Sequence, residues 1–198
     1  MYQLLLDSSN VYLAVGLAKE GKVVDSIFYN AWQRQSEVMV NEIDNILKRN
    51  KVDKKELDAV VVGIGPGSYT GVRIGVTIAK TIAYALKIKV YAKSSLSLLR
   101  CGNEPTICLF NARSGRSYFA VYQGKKVLEK ECVIPNEEVI SYIEKHPDYK
   151  IAGDTAQIGK ESEELNFIAN LADFSEDELV NNIFALNPIY LKDLLKWK

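Results

Sequence analysis

The stretch from Val60 to Leu86, VVVGIGPGSYTGVRIGVTIAKTIAYAL, constrains the fold more than any other part of the 198-residue chain. A β-branched run, Asp58 to Ile64, reads as a strand buried on both faces. It passes through Gly63, Gly65 and Gly67 and enters a helix that continues to Leu86. A strand feeding a helix through glycines presents backbone N–H groups to an anion. Neither common nucleotide fingerprint fits, however. A phosphate loop needs Lys and then Ser or Thr after its last Gly, whereas Val72 and Arg73 follow Gly71; a dinucleotide motif opened by Gly65 and Gly67 needs Gly where Thr70 stands. Two readings stay open. In one, Asp7, Ser8, Gly65, Gly67, Ser68 and Asn111 form a vestigial phosphate site. In the other, the glycines permit close packing and positive φ, with Ser68 and Thr70 as N-caps.

On a helical wheel, Val72, Ile74, Val76, Ile78, Ile82 and Leu86 span an arc of roughly 200°. A helix covering one side of a sheet needs about half of that, so a second apolar contact is expected. Gly71, Gly75, Ala79 and Ala83 form an i, i+4 ladder of small side chains that lets another backbone approach, either the home sheet or a second protein. Gly75 in a helix interior costs about 1 kcal/mol relative to Ala, which points the same way. The preceding helix, Ser36 to Asn50 with Ser36 as its N-cap, carries Met39, Val40, Ile43, Ile46 and Leu47 at helical spacing. The two helices together present a candidate partner surface: these five residues with Val72, Gly75, Val76, Ala79, Ile82, Ala83 and Leu86.

The rest of the chain reads as two α/β units. Tyr2 to Asp7, Val11 to Ala18 and Val23 to Phe28 are antiparallel strands separated by polar turns. The glycine-linked strand and helix follow, then a strand at Lys89 to Ala92 and a third helix capped by Ser94 or Ser95. The pattern starts again with Thr106 to Asn111, Ser117 to Tyr122 and Lys126 to Val133, a helix to Lys145 and a strand at Tyr149 to Ala152. A recurring βββαβα order is the arrangement of actin-like, ribonuclease H-like subdomains. The division is placed at 1–102 and 103–198, with two helices in the tail and a last segment, Asn187 to Trp197, packing back on the first unit.

Charge and composition narrow the function. Lys plus Arg and Asp plus Glu are 25 each, so no net field draws the chain to nucleic acid or an anionic membrane. No apolar run approaches the ~20 residues of a membrane span, and the N-terminus reads as a strand and not as a signal peptide. Cys101, Cys108 and Cys132 are odd in number and lack metal spacing, which indicates buried thiols in a reducing cytoplasm. His146, the sole histidine, precedes Pro147 and reads as a helix C-cap or surface residue; a two-histidine metal site cannot be built from this chain.

GIGPGSYTGVRIG (Gly63 to Gly75) with AKTIAYAL resembles the bacterial TsaB family, also called YeaZ, as do LLLDSSNVYLAVGL, Ser94-Ser95-Leu96, NARSGRSYFAVY (Asn111 to Tyr122) and PIYLK (Pro188 to Lys192). The resemblance implies a two-domain actin-like protein that is a catalytically silent paralogue of TsaD, the subunit that transfers threonylcarbamoyl to tRNA. It implies pairing with TsaD through the first two helices, a ternary complex with the ATPase TsaE, indirect contact with tRNA, and homodimers through the same surface when TsaD is absent. No cofactor is expected on this chain, ATP and Mg²⁺ belonging to the assembled complex. Family members usually carry Asp where Asn111 stands and an acidic residue near Arg116, which leaves Asp7 as the carboxylate for Mg²⁺. Two other classes compete: an actin-like ATPase or kinase using Asp7 and the glycine turn, and direct tRNA binding by a strip of Arg113, Arg116, Lys125, Lys126 and Lys130.

Overall fold

The computed structural model describes residues 2–191. The chain divides into two compact units: one runs to Ser95 and takes in Phe167–Ile189, and the other takes in Leu96–Asn166. Where the sequence suggests one cut after residue 102, residues 96–102 go with the second unit and 167–189 with the first. Of the suggested closing segment, Lys192, Leu194, Leu195 and Trp197 lie outside the described residues.

In the first unit, β1 (Tyr2–Asp7), β2 (Tyr12–Lys19) and β3 (Lys22–Asn30) make two antiparallel hairpins. β4 (Leu57–Gly63) pairs parallel to β1, and β5 (Lys89–Lys93) parallel to β4, giving the order β3-β2-β1-β4-β5. Parallel neighbours need crossovers, supplied by α1 (Gln35–Arg49) and α2 (Tyr69–Leu86). Successive side chains on a strand point to opposite faces. Leu4, Leu6, Val15, Val60 and Val62 accordingly meet Met39, Ile46, Val72, Val76 and Ala79 in one core. On the opposite face Gly16 lies against Leu5 and against Ile168 of α4 (Phe167–Ala172), and Phe28 stacks on Phe167 with centroids 5.4 Å apart. The strand read as buried on both faces is so: Ala59, Val60, Val61 and Val62 are all buried.

Two local expectations are corrected. α1 starts at Gln35, with Arg34 in the cap position and no side-chain cap; Ser36 is exposed, and the chain is anchored instead by Gln35 Nε2, which donates to the Asn10 carbonyl at 3.0 Å. The third helix is a single 3-10 turn, Leu96–Leu99. Leu96, Leu98 and Leu99 are buried and the chain turns at Gly102 (φ +55°), which leaves no length for an α-helix.

The second unit repeats the hairpins with β6 (Pro105–Arg113), β7 (Arg116–Gln123) and β8 (Lys126–Pro135), then α3 (Asn136–Lys145) and β9 (Lys150–Gly153), in the order β8-β7-β6-β9. Ile107, Leu109, Phe119 and Val121 pack under Val139 and Ile143 of α3. The repeat stops at β9, because the next helix, α4, covers the first unit's sheet.

Polar bonds fasten the returning segment to that first unit. The Leu179–Tyr91 bridge and the Val180 N–H bond to the Val90 carbonyl (2.9 Å) run along β5, and the Ile189 N–H reaches the Ile64 carbonyl at 2.7 Å. Lys80 Nζ donates to the carbonyls of Phe184 and Leu186. The Lys93 side chain is 1% exposed, and its ammonium donates to the Asp173 carbonyl at 2.8 Å and to both Glu178 oxygens at 2.9 and 3.1 Å.

A buried charge left alone is worse than no charge. Glu178→Ala is therefore expected to lower the unfolding free energy by about 3 kcal/mol, and Lys93→Met by clearly less, in matched urea titrations.

Candidate functional site

The glycine turn is filled by the chain itself. Asp7 ends β1, and the following residues, Ser8 and Ser9, lie over the start of α2. Ser8 Oγ donates to the Gly71 carbonyl at 2.8 Å and Ser68 N–H donates to the Ser9 carbonyl at 2.6 Å. A Cβ added to Gly67 would stand 2.1 Å from the Ser9 carbonyl oxygen, and one added to Gly71 2.1 Å from that of Ser8. Ser68 caps α2, its Oγ accepting from Gly71 N–H at 3.3 Å, and Gly65 N–H donates to Ser95 Oγ at 3.0 Å. The N–H groups of Gly65, Ser68 and Gly71 are thus engaged within the fold.

Asp7 is committed in the same way. Its Oδ1 accepts from Ser9 N–H and Ser9 Oγ, both at 2.8 Å, and its Oδ2 from Ser95 Oγ at 2.7 Å. Gly63 leaves room for this carboxylate: a Cβ there would lie 1.8 Å from Oδ2. Burial pushes the Asp7 carboxyl up from the ordinary value, partly opposed by the bonds from Ser9 and Ser95.

The proposed helix face separates into an inner and an outer part. Met39, Ile43, Ile46, Val72, Gly75, Val76, Ala79 and Ala83 are buried in the first unit's own core, so they are not available to a partner. The small ladder serves the home fold, with Gly71 against Ser8 and Gly75 against Ser8 and Val62. Leu47, Ile82 and Leu86 are half-buried, and Val40 is 57% exposed.

The surplus apolar arc emerges beside α1. Ser36 and Val40 of α1, with Tyr69, Thr70, Arg73, Ile74, Thr77 and Ile78 of α2, line an open groove of about 510 Å³. Ile74 and Ile78 are half-buried on its floor, while Tyr69 (48% exposed) stands at the N-terminal end of α2. Of these eight residues, Val40 alone was among the candidate partner residues. The signal for Ile74 and Ile78 was the excess width of the arc; for the polar lining no sequence signal distinguishes groove from ordinary surface.

Other candidates are scattered. Asn111 forms an Asx turn, its Oδ1 accepting from Arg113 N–H at 2.8 Å, and its own N–H donates to Asp154 Oδ2 at 2.8 Å. Asp154, missed from sequence, gives the second unit a carboxylate beside position 111, with its pKa raised by burial. Arg113 and Arg116 flank the β6–β7 turn, while Lys125 and Lys126 lie at the β7–β8 turn, at opposite ends of an eight-residue strand of about 25 Å. Lys130 lies between these ends, within β8, so the five basic residues are spread along the length of the β7–β8 hairpin. His146 caps α3 and stacks between Tyr142 and Tyr149, at 4.4 and 4.6 Å. Cys108 is buried and its thiol pKa is raised by burial; Cys101 and Cys132 are half-buried, contrary to the expectation of three buried thiols. Among the described residues no helix is long and apolar enough to cross a membrane.

Two mixed sheets built on βββαβ connectivity define an actin-like α/β protein. A family model described as "TsaD: tRNA N6-adenosine threonylcarbamoyltransferase" matches residues 29–186. The "tRNA threonylcarbamoyladenosine biosynthesis protein TsaB" of Bacillus subtilis (strain 168) is 36% identical over 141 residues, 69% of this chain and 61% of that protein. The protein of the same name from Buchnera aphidicola subsp. Schizaphis graminum is 29% identical over 125 residues, 60% of this chain and 59% of its own length. The match thus spans about three fifths of these relatives. YeaZ from Pseudomonas aeruginosa has the same fold, with a TM-score of 0.80 at 24% identity over 96% of this chain and 99% of that one. The chain belongs to the threonylcarbamoyltransferase-type family that this model describes, and within it to the TsaB/YeaZ proteins.

Two outcomes are expected of the turn. Gly71→Ala meets a backbone carbonyl and should destabilise by about 2–3 kcal/mol, whereas Gly75→Ala meets the Ser8 hydroxyl at 3.0 Å and gains helix propensity, so it should stay within about 1 kcal/mol of wild type. Paired chemical denaturation checks this. For Asp7 the folded pKa lies above the unfolded one, so its contribution is complete below the ordinary 3.8 and is lost as pH rises through the raised value. Across that window, stability should shift in favour of Asp7→Asn relative to wild type as pH rises, then level off; urea titrations at stepped pH measure it.

Proposed function

We infer that this chain is a non-catalytic docking and dimerisation subunit in the biosynthesis of threonylcarbamoyladenosine in tRNA, binding and supporting the catalytic paralogue TsaD. The observation that carries this reading is the open groove between α1 and α2, whose floor is Ile74 and Ile78 and whose rim carries the exposed Val40. A two-helix surface with an apolar floor suits an incoming amphipathic helix. The names of the relatives support a place in the same biosynthesis.

Silence is supported by the site chemistry. Asp7 spends its oxygens on Ser9 and Ser95, and the helix start is covered by Ser8 and Ser9, so the turn works as a structural joint. The sole histidine is stacked between two tyrosines. In this account TsaE joins the complex and nucleotide is held by the assembly. TsaD displaces a homodimer that uses the same face, and tRNA is reached through the complex in the cytoplasm.

Val40→Glu charges the exposed rim without entering the core, and it should abolish co-purification with the host's TsaD and the dependent threonylcarbamoyl transfer to tRNA while leaving the melting curve unchanged. Ala79→Glu, by contrast, places a carboxylate at a fully buried position and should unfold the protein. Binding of Mg-ATP by the isolated chain, followed by phosphate release that disappears in Asp7→Ala, would favour the ATPase reading instead.

A further inference from the structure

Resting on the docking reading above, we propose that Arg73 is the charge key of the groove, selecting a partner helix that carries a carboxylate within its apolar face and disfavouring a second copy of this chain. Seven of the eight lining residues are uncharged, and Arg73 is the exception. It is held ready: its guanidinium lies over the Tyr69 ring, 5.1 Å from the centroid, and Nη1 donates to the Tyr69 hydroxyl at 2.6 Å. Those contacts fix the planar fork on the rim and leave further N–H donors for a ligand.

Cations on the neighbouring helix are matched. Arg34 pairs with Glu37 at 3.6 Å, Lys48 with Asp44 at 2.6 Å, and Arg49 with Asp25. Among the described residues no carboxylate pairs with Arg73. A helix laid in the groove takes water from this guanidinium, and a desolvated cation without an anion opposes binding. An acidic side chain on the incoming helix turns that cost into a bidentate, charge-assisted contact.

A second copy offers less. Its groove brings another Arg73 and no carboxylate from the lining, and Glu37, next to the lining residue Ser36, is already engaged by Arg34. Removing the charge should therefore move the two associations in opposite directions, which a purely packing role for the side chain would not do.

The test compares wild type, Arg73→Gln and Val40→Glu, each at an exposed position, by calorimetric titration with the host's TsaD and by sedimentation of the chain alone. The expected result is that Arg73→Gln weakens TsaD binding about 10- to 100-fold, loses the salt dependence of wild type and self-associates more strongly. Arg73→Glu should bind more weakly still and recover when one carboxylate of the TsaD docking helix is changed to Lys. If Val40→Glu abolishes binding while Arg73→Gln stays within about twofold of wild type, the charge key is wrong and the docking site stands. If Val40→Glu binds like wild type, the docking site fails and the charge key with it. Equal weakening of both associations by Arg73→Gln also overturns the proposal, since it marks the side chain as packing.

Discussion

The close seating of the first hairpin turn on the start of α2 is the contact on which the rest of the first unit depends. Ser8 and Ser9 follow the central strand directly, and their carbonyls occupy the space that side chains at positions 67 and 71 would need. Asp7 holds the turn in place through Ser9 and reaches Ser95, where β5 leaves the sheet. One buried carboxylate therefore ties together three chain segments, the ends of β1 and β5 and the first turn. Burial raises its pKa, and the bonds it accepts oppose that rise.

From this joint the geometry of the outer surface follows. With the small ladder of α2 turned inward, Gly71 to Ala83 defines the buried centre of the helix, and the apolar residues offset from it fall beside α1. That offset is why Ile74 and Ile78 are half-buried, neither core nor ordinary surface. A motif shaped like a phosphate cradle thus ends up positioning a groove on the neighbouring face of the helix it begins. The returning segment 167–189 supports the same unit twice: α4 covers the opposite face of the sheet, and Lys80 of α2 and Lys93 of β5 hold carbonyls of the segment with their ammonium groups.

Local pattern revealed what local physics decides. The hairpins were legible from alternating residues broken by polar turns, the doubly buried β4 from its β-branched run, and the end of α2 at Leu86, where Lys87 adopts a left-handed conformation (φ 57°) and closes the helix. What was not legible depends on distant contacts. Nothing near Phe167 says that its ring will stack on Phe28, so the tail could not be assigned to its unit. Leu96, Leu98 and Leu99 look helical until Ser95 is tied to Asp7 and Gly65 at one end and Gly102 turns the chain at the other. The wheel gave the width of the apolar arc on α2 without its direction. The candidate interface therefore took in buried Ala79 with other core residues and left out half-exposed Ile78.

On the reading proposed above, the groove between α1 and α2 is where this chain meets TsaD. Methyl-resolved NMR of the labelled protein, with and without the host's TsaD, tests it most directly, because Val40, Ile74 and Ile78 report the groove and Val62, Val121 and Ile107 report buried positions elsewhere. The Val40, Ile74 and Ile78 methyl signals should shift or broaden on adding TsaD while the buried reporters of both units hold. Perturbation confined to methyls away from α1 and α2, with those three unchanged, would contradict it.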